Sequence, residues 1–430
     1  MHISNTEGLV KVFLKIYDLI WYIALPFVAL FLCIKGRKNN TYLKRWGERF
    51  GHYRSLEPVD IWFHAVSVGE VVASSALVES CVKAGFRVLV TTMTPTGSEQ
   101  VKRMFGAKVF HQYCPYDFSF AIHQFLKDRQ PKLLMVFETE LWPGILSRCH
   151  QRNIPIFLAN ARISNRSYGR YLKTAVFWRH ILSYFTKIFV QSTKDAERFI
   201  SLGANASQIE LAGNLKFQAI PSDLSKLEEW KKFKAYYPDK DILVFGSTHH
   251  GEEEVILEVW DKLKAHFNHL ILVLVPRHPE RFDKVFQLLK QKYQKGVSRI
   301  SSWQPGESLD ILLVDQMGVL NSLYSIARFA FVGGSLVPVG GHNVLEPLTY
   351  GVPVLTGPYT HNQQDLIRIL LDEEAIIVTP TPDELYKVLK ILLSHQEVSQ
   401  DLKQKSLNIL KKHQGSLEKH MQGIQKVLSD

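Results

Sequence analysis

Short apolar runs alternate with amphipathic stretches along most of the chain from residue 59 onward. The first set of runs is VDIWFHAV, RVLVTTM, KLLMVFE, IPIFLAN and KIFVQS, and each one precedes a helix-like stretch. Continuous apolar runs between amphipathic helices are typical of parallel strands that are covered on both faces. This order predicts a doubly wound α/β domain.

The pattern restarts after a stretch of glycine, proline and small polar residues at 213–222. The second set is DILVFGS, HLILVLVP, LDILLVD, RFAFVGGS, VPVLTGP and AIIVTP. The last 35 residues or so carry no strand signal and read as helices. The chain is therefore predicted to contain a domain at 41–218 and a second Rossmann-like domain at 219–430.

The first 40 residues differ from the rest because Leu19 to Ile34, LIWYIALPFVALFLCI, contains no charge. This run is slightly shorter than the ~20 residues that span a hydrocarbon core. A spanning helix, a helix lying in the membrane interface and a buried helix of a soluble core all stay open. The run is followed by the basic residues Lys35, Arg37, Lys38, Lys44, Arg45 and Arg49. A basic flank of this kind favours the cytoplasmic side.

The net charge and the motif content of the chain restrict the kinds of ligand that it is expected to bind. Lys and Arg number 52 against 41 Asp and Glu, a formal net charge of +11, which favours an anionic partner such as nucleic acid, anionic lipid or a phosphorylated substrate. No G-x-x-x-x-G-K-[ST] loop and no interleaved basic and aromatic motif occurs, which disfavours a P-loop NTPase and nucleic acid. The four cysteines form no C-x-x-C pair, so no zinc site or disulfide framework is predicted.

The second domain carries a glycine-rich stretch, VGGSLVPVGGHNVLEP, that follows a predicted strand and opens a predicted helix at about Asn343. Glycines such as Gly334, beside Ser335, permit close backbone approach, and a helix N-terminus favours an anion. Glu346 could accept hydrogen bonds from ribose hydroxyls. A tight turn without a ligand is the alternative.

Two further basic groups, Arg277 and His278, follow the strand in LVLVPRHPERF. An arginine at a strand end can bind phosphate or carboxylate oxygens with its guanidinium fork. The alternative is an exposed basic cap. Because a cation opposes the dipole at a helix start, an anion site is favoured.

In the first domain, Glu70, Glu138, Glu140 and Arg162 follow predicted strands, and ligands of open α/β sheets bind beyond these strand ends. Glu138 and Glu140 are two residues apart and are expected to face the same way in an extended segment. Glu70 is either a helix-start acid that complements the dipole or a general base. A neighbouring carboxylate, with Glu138 as the candidate, would raise its pKa toward the working range.

The stretch STHHGEEE, residues 247–254, offers two histidines and three glutamates. No metal-ligand spacing is specific there. The favoured interpretation is that a strand ends at Ser247 and Thr248 and that the glutamates open a helix, so no metal site is predicted.

Several motifs together resemble one family, the 3-deoxy-D-manno-octulosonic acid (Kdo) transferases. They are RWGERFG, VSVGE, TTMTPTGSE, ETELWP, NARIS, GNLKF, STHHGEEE, PRHPERF and GGSLVPVGGHNVLEP, in this order. The resemblance implies a GT-B fold of two facing Rossmann-like domains, with the acceptor domain at 41–218, the donor domain at 219–430 and a membrane-associated segment at 1–40. It implies metal-independent, inverting transfer of Kdo from CMP-Kdo to the lipid A precursor (lipid IVA), on the cytoplasmic face of the inner membrane.

The resemblance also implies roles for individual residues. Glu70 of VSVGE would be the proton acceptor, while Glu138 and Lys216 would stabilise the transition state. The residues that would bind CMP are Pro276, Arg277, Met317, Gly318, Val319, Asn343, Val344, Leu345 and Glu346; further candidates are Arg162, His278, Gly334 and Ser335. No metal and no cofactor are implied. The chain departs from the family at Gly144, usually Asn, and at Val319, usually Glu.

Two other functions stay open from the residues alone. One is a GT-B transferase that uses a UDP-sugar and a lipid acceptor, since glycine-rich loops and a ribose-binding glutamate serve many nucleotides. The other is a non-catalytic membrane protein that binds anionic lipid through its basic flank.

Overall fold

The computed structural model of the protein describes residues 2–38, 40–53, 57–218 and 224–429, with side chains outside 2–11, 38, 40 and 224–225. The chain divides into two compact units, the first formed by residues 1–218 with 413–430 and the second by residues 219–412. The predicted junction at 213–222 lies partly outside the described residues.

The first unit is built, within the described residues, on a seven-stranded parallel sheet of order β3-β2-β1-β4-β5-β6-β7. Its strands are β1 (Ile61–His64), β2 (Val88–Thr92), β3 (Phe110–Tyr113), β4 (Leu133–Phe137), β5 (Ile156–Ala161), β6 (Lys187–Val190) and β7 (Ile209–Leu211). The helices up to this point are α1 (His2–Lys38), α2 (Trp46–Arg49), α3 (Val68–Lys83), α4 (Pro95–Phe105), α5 (Ser119–Arg129), α6 (Pro143–Gln151), α7 (Asn165–Leu172), α8 (Ala175–Leu182) and α9 (Thr193–Ser201).

The strands of this sheet are buried on both faces, which explains their continuous apolar runs. Trp62 and Leu134 point into one core, whereas Phe63 and Leu133 point into the core on the other face. All four side chains are fully buried. Helices on both sides are therefore required to cover the sheet.

The second unit repeats this architecture, with a parallel sheet of order β10-β11-β9-β8-β12-β13-β14. Its strands are β8 (Asp241–Thr248), β9 (Leu270–Pro276), β10 (Val297–Arg299), β11 (Ile311–Leu313), β12 (Phe329–Val332), β13 (Val354–Thr356) and β14 (Ile376–Val378). Its helices are α10 (Leu224–Ala235), α11 (Glu252–Lys264), α12 (Phe282–Lys292), α13 (Leu320–Leu323), α14 (Leu345–Leu348), α15 (Gln364–Asp372), α16 (Pro382–Ser394) and α17 (Gln396–His413). The predicted fold class, two parallel α/β units with one apolar N-terminal helix, is confirmed.

The last helix, α18 (Ser416–Ser429), packs on the first unit, whereas the sequence pattern grouped it with the second. Ile424 is fully buried in the core that also contains Phe157 and Phe189. A Cβ on Gly423 would lie only 2.7 Å from the Phe189 ring, so a glycine allows the helix to approach the sheet. The predicted domain 219–430 therefore differs from the structural unit in its final residues.

The N-terminal helix α1 contains a segment, Val12–Arg37, that is long and apolar enough to cross a membrane by length and composition, with a mean hydropathy of 2.0. One side of this helix nevertheless contacts the first unit. The Tyr17 hydroxyl donates to Asp117 Oδ2 at 2.8 Å, and Asp18 pairs with Arg148 at 2.7 Å. Farther along, Leu32 is only 1% exposed. The helix therefore contacts the unit on one side, while only 11% of this apolar segment is buried.

Candidate active site

Two candidate residues of the first unit, Glu70 and Glu138, lie beyond the carboxyl ends of neighbouring strands. Glu70 follows β1 and Glu138 follows β4, and these strands pair at the point where the strand order reverses. Ligands of open α/β sheets bind at such a reversal. The fold thus places both carboxylates where a substrate is expected.

Glu70 lies in the first turn of α3 and is hydrogen-bonded to its own helix start. Its Oε2 accepts from the Val66 N–H at 2.8 Å, and the Ser67 hydroxyl donates to Oε1 at 2.8 Å. Ser67 is the N-cap of the helix and also accepts from the Glu70 N–H. Glu70 therefore lies at a helix start, and two hydrogen bonds hold its carboxylate in one orientation.

The pKa of Glu70 is raised to about 8, although its hydrogen bonds with Val66 and Ser67 oppose the rise. Burial is the main cause, since the side chain is only 7% exposed. The next cause is the charge of Glu140, and Glu138 contributes less. The sequence-based expectation named Glu138 as the neighbour responsible, and Glu140 is in fact the stronger influence.

Glu138 and Glu140 do not lie in an extended segment, so the expectation that they face the same way for that reason is wrong. Glu138 has a φ of 50°, a left-handed conformation that is costly for a residue with a Cβ. Glu140 accepts from the Trp142 indole N–H at 2.9 Å, and burial, followed by the charge of Glu138, raises its pKa. The two carboxylates of the turn after β4 therefore contact different partners.

Two cations hold the Glu138 carboxylate. Lys216 Nζ lies 3.3 Å from Oε1, and Arg162 Nη2 lies 3.1 Å from Oε2. Lys216 belongs to a single helical turn, Leu215–Phe217, that follows β7 and is capped by Asn214. Residues from three separate parts of the chain thus form one ionic cluster, a contact among Glu138, Arg162 and Lys216 that the sequence analysis did not predict.

In the second unit, the candidate residues also follow adjacent strands. Pro276 ends β9 and is followed by Arg277, whose N–H donates to the Thr248 carbonyl at the end of β8. Arg277 and His278 are exposed, and His278 Nδ1 lies 3.8 Å from Glu280. An exposed guanidinium at a strand end is suited to binding an anion.

The loop after β12 is held by a buried carboxylate that the sequence analysis treated only as a helix start. Glu252, fully buried, accepts from the N–H groups of Gly334, Ser335 and Leu336 at 2.7 to 3.0 Å and from His249 at 2.8 Å. The acid in STHHGEEE was visible in the sequence, but its partner loop, 82 to 84 positions away, was not.

Gly334 and Ser335 serve this loop in different ways. A Cβ on Gly334 would lie 2.8 Å from the His342 ring, which itself meets His249 with 2.7 Å between Nε2 atoms. The Ser335 side chain is fully buried, donates to the Val332 carbonyl and accepts from the Gly357 N–H. The Ser335 hydroxyl therefore stabilises the loop.

The helix after the loop begins later than predicted. The helix α14 begins at Leu345, not at about Asn343, and ends at Leu348. Asn343 precedes the N-cap residue Val344; its Oδ1 accepts from the Leu345 N–H at 3.1 Å, and its Nδ2 donates to Glu346 Oε1 at 3.3 Å. The Val344 and Leu345 side chains are buried, and burial raises the pKa of Glu346.

The remaining donor candidates, Met317, Gly318 and Val319, form the turn before α13. Met317 is 51% exposed, whereas Val319 is 5% exposed. Gly318 has a φ of 76°, and its carbonyl accepts from Lys226 at 3.4 Å. Val319 therefore offers only its backbone to a ligand.

Two arginines of the basic flank, Arg45 and Arg49, contact the first unit. Arg49 is 1% exposed; it donates to the Met93 carbonyl and stacks 4.1 Å from the Tyr113 ring. Arg45 is paired with Glu48 at 2.7 Å. Arg49 is thus part of the core of the unit. Among the described residues, no group of three or more His, Cys, Asp or Glu side chains is arranged to hold a metal ion.

Comparison with known proteins identifies the family. The domain described as 3-deoxy-D-manno-octulosonic-acid transferase (kdotransferase) matches residues 44–219. A 3-deoxy-D-manno-octulosonic acid transferase from Haemophilus influenzae is 38% identical over 415 residues, which cover 94% of this chain and 96% of that protein.

Solved structures resemble the chain as well. The C-terminal CMP-Kdo binding domain of WaaA from Acinetobacter baumannii is 30% identical, with a TM-score of 0.42, and covers 44% of this chain and 99% of that one. A UDP-GlcNAc 2-epimerase from Neisseria meningitidis, 13% identical with a TM-score of 0.52, covers 86% of this chain and 100% of that one and shares the fold. Given the near full-length similarity to the Haemophilus enzyme, the chain belongs to the Kdo transferases, glycosyltransferases of lipopolysaccharide synthesis.

Proposed function

We propose that this Kdo transferase moves Kdo from CMP-Kdo to a hydroxyl of the phosphorylated lipid A precursor, lipid IVA, with inversion and without a metal. In a single displacement, the acceptor oxygen forms a bond to the anomeric carbon as the bond from that carbon to the CMP phosphate breaks. The acceptor proton passes to Glu70, and CMP leaves with the bonding electrons.

The main support for this proposal is the fixed position and the raised pKa of Glu70. A general base needs a pKa near the working pH and a fixed position at the substrate-binding edge. Glu70 is held by two hydrogen bonds at the end of β1, and burial beside Glu140 raises its pKa to about 8. A carboxylate that only capped a helix would have its pKa lowered by the dipole.

The cluster of Glu138, Lys216 and Arg162 supplies the charge that the reaction needs in the first unit. Two cations share one carboxylate at 3.1 and 3.3 Å, so the cluster has one positive charge in excess. Such preorganised charge stabilises negative charge that develops in a transition state. This supports the roles of Glu138 and Lys216 in stabilising the transition state.

The donor is proposed to bind the second unit. Arg277 would contact the single phosphate of CMP, and Glu346, near Asn343 and partly buried, would accept from ribose hydroxyls. A leaving group with one phosphate carries little charge, so arginine and lysine can offset it without a divalent cation.

The acceptor is a lipid, and α1 offers a means of reaching the membrane. Its inner side is docked through Tyr17, Asp18 and Leu32, while Ile23 and Phe27 on the outer side are 61% and 69% exposed. A helix docked on a polar domain cannot be surrounded by lipid. We therefore propose that α1 lies in the interface of the inner membrane, on its cytoplasmic face.

The test is mass spectrometry of lipid IVA incubated with detergent-solubilised protein, CMP-Kdo and EDTA. A gain of one or more Kdo masses is expected from the wild type, and none is expected from Glu70→Gln, which keeps the hydrogen-bonding shape but cannot take a proton. Substantial turnover by Glu70→Gln would exclude the general-base role, and loss of the wild-type reaction in EDTA would exclude metal independence.

The same assay separates the alternatives. Inhibition by CMP but not by UDP is expected, and the reverse would point to a UDP-sugar donor. A non-catalytic lipid-binding protein would produce no mass gain with either donor and would bind vesicles regardless of residue 70.

A further inference from the structure

The turn that carries Lys216 is held by residues from the far end of the chain. The Gly213 carbonyl accepts from the Ser416 hydroxyl at 3.2 Å, and the Asn214 N–H donates to His413 Nδ1 at 3.2 Å. The His413 ring also stacks on Phe217, with 4.4 Å between ring centres. The backbone on both sides of Lys216 is therefore attached to the segment that begins α18.

A second connection reaches the same turn through β5. Asn160 Oδ1 accepts from the Leu215 N–H at 3.0 Å, and the Asn160 N–H donates to His420 Nε2 at 3.3 Å. Asn160 has a φ of 53°, a conformation that needs support from its surroundings. His420 supplies that support from α18.

The hydrogen bonds of His420 fix its charge and tautomer. Nδ1 donates to the Ser416 carbonyl at 2.6 Å, which leaves Nε2 as the acceptor for Asn160. The ring is fully buried and stacks on Phe189, and burial lowers its pKa to about 4. The ring is thus neutral at pH 7, as the acceptor role requires.

Lys216 connects this arrangement to the carboxylate cluster. The Lys216 N–H donates to Asn214 Oδ1 at 2.9 Å, and its Nζ lies 3.3 Å from Glu138. A shift of the turn would move the ammonium group relative to Glu138. Small displacements of this kind reduce catalysis strongly, because charge stabilisation depends on fixed geometry.

We propose that His420 and Ser416 are positioning residues for transfer: they hold the turn 213–217 so that Lys216 reaches Glu138. This inference depends on the proposed role of Lys216. It assigns to α18 a part in catalysis that packing on the sheet would not give it.

The test is a double-mutant cycle on kcat with Lys216→Ala and His420→Phe. His420→Phe removes the acceptor for Asn160 and is expected to lower kcat at least about tenfold with little change in the KM for donor. In the Lys216→Ala background, the same change is expected to cause no further loss. His420→Gln, whose Oε1 can replace Nε2 as acceptor, is expected to restore most of the activity.

Two further variants separate positioning from stability. Ser416→Ala removes only the hydrogen bond to Gly213 and is expected to show the same non-additivity with a smaller loss, even if His420→Phe does not fold. Ile424→Ala, buried on the same helix without a polar link to the turn, is expected to lower the melting temperature but to keep kcat.

The outcomes are distinguishable. If Lys216→Ala lowers kcat but the losses from His420→Phe or Ser416→Ala multiply with it, the inference is overturned while the proposed function stands. If Lys216→Ala keeps the wild-type kcat, the proposed role of Lys216 fails, and the inference fails with it.

Discussion

Glu138 and Lys216 lie 78 positions apart in the sequence, yet their charged atoms are 3.3 Å apart. The carboxylate belongs to the turn after β4 and the ammonium to the turn after β7, and Arg162 completes the cluster. Neutralising the carboxylate should free both cations at once. Glu138→Gln is expected to lower kcat by about 10- to 1,000-fold, the range for lost preorganised charge, with donor KM nearly unchanged.

A steady-state comparison with the exposed Glu79→Gln on α3 provides the control for Glu138→Gln. Because Glu79 takes no part in the cluster, its variant should match the wild type. Equal kinetics for the two variants would show that the cluster has no role in turnover.

The raised pKa of Glu70 predicts a pH profile. The base acts when ionised, so kcat should rise with pH and level off above about 8. Glu140→Gln removes the neighbouring charge but keeps an acceptor for the Trp142 N–H, so the rising limb should move to lower pH. A limb that stays in place in this variant would argue against electrostatic coupling of the two carboxyls.

The same shift affects stability. Since the folded pKa of Glu70 lies above its usual 4.5, the folded chain holds this proton more tightly than the unfolded chain. The contribution of this group to stability is therefore fully present below about pH 4.5 and decreases as the pH rises to about 8. Glu70→Gln should remove this part of the pH dependence in thermal unfolding curves.

The exposed position of Arg277 predicts that replacing this residue weakens CMP binding without destabilising the fold. Its side chain is exposed at the end of β9, so Arg277→Ala should leave the melting temperature unchanged. Loss of a charge-assisted contact to phosphate should weaken CMP binding by about tenfold or more in calorimetry. Lys262→Ala, which removes an exposed cation that pairs with Asp383, is the matched control and should bind CMP normally.

Gly144, where the family usually has Asn, lies too close to Asp117 for a side chain to fit. A larger residue at this position is therefore predicted to destabilise the fold. A Cβ at this position would lie 2.5 Å from Asp117 Oδ1, and the Gly144 N–H donates to Asp117 Oδ2 at 2.7 Å. Gly144→Asn, which introduces the usual family residue, should therefore cost about 1 to 3 kcal/mol by overpacking. The melting temperature would report this loss.

Gly169→Ala is the control for this substitution. Gly169 also lies in a helix, α7, but a Cβ there would meet nothing within 4 Å. Replacing it should be neutral or slightly stabilising. Similar losses for both variants would mean that the carboxylate of Asp117 moves aside without cost.

The outer face of α1 predicts membrane binding. Replacing both Ile23 and Phe27 by Glu should reduce partition into anionic vesicles by more than about tenfold. Burying each of these apolar side chains in the membrane contributes about 1.5 to 3 kcal/mol of binding free energy, which the substitutions remove. Activity on acceptor dissolved in detergent should change little. If vesicle binding is unaffected, the interfacial position of α1 is wrong.

The sequence was sufficient to predict the strands that are apolar throughout. The strands β3, β7 and β10 were not predicted from the sequence. Their sequences, FHQY, IEL and VSR, carry polar side chains because these strands lie at the sheet edges. The sequence pattern also assigned the end of the chain to the wrong structural neighbour, because an amphipathic helix does not reveal which sheet its apolar face will cover.

In the candidate site, too, the sequence predicted the local positions of residues but not their long-range contacts. Glu70, Glu138 and Arg162 could be placed at strand ends because strand ends follow from the apolar pattern. The support of Lys216 by His413 and His420 could not be predicted, since nothing in the sequences of the two C-terminal helices indicates that these histidines accept hydrogen bonds from residues 199 and 260 positions earlier.

The return of α18 to the first sheet also governs the order in which the molecule is completed during synthesis. A ribosome makes residues 413–429 only after the whole second unit, so every strand of the first sheet exists well before the helix that supports its Lys216 turn. The second unit is one continuous segment of the chain, whereas the first is assembled from two pieces. A nascent chain that has not yet added α18 therefore lacks part of the support for the turn that carries Lys216.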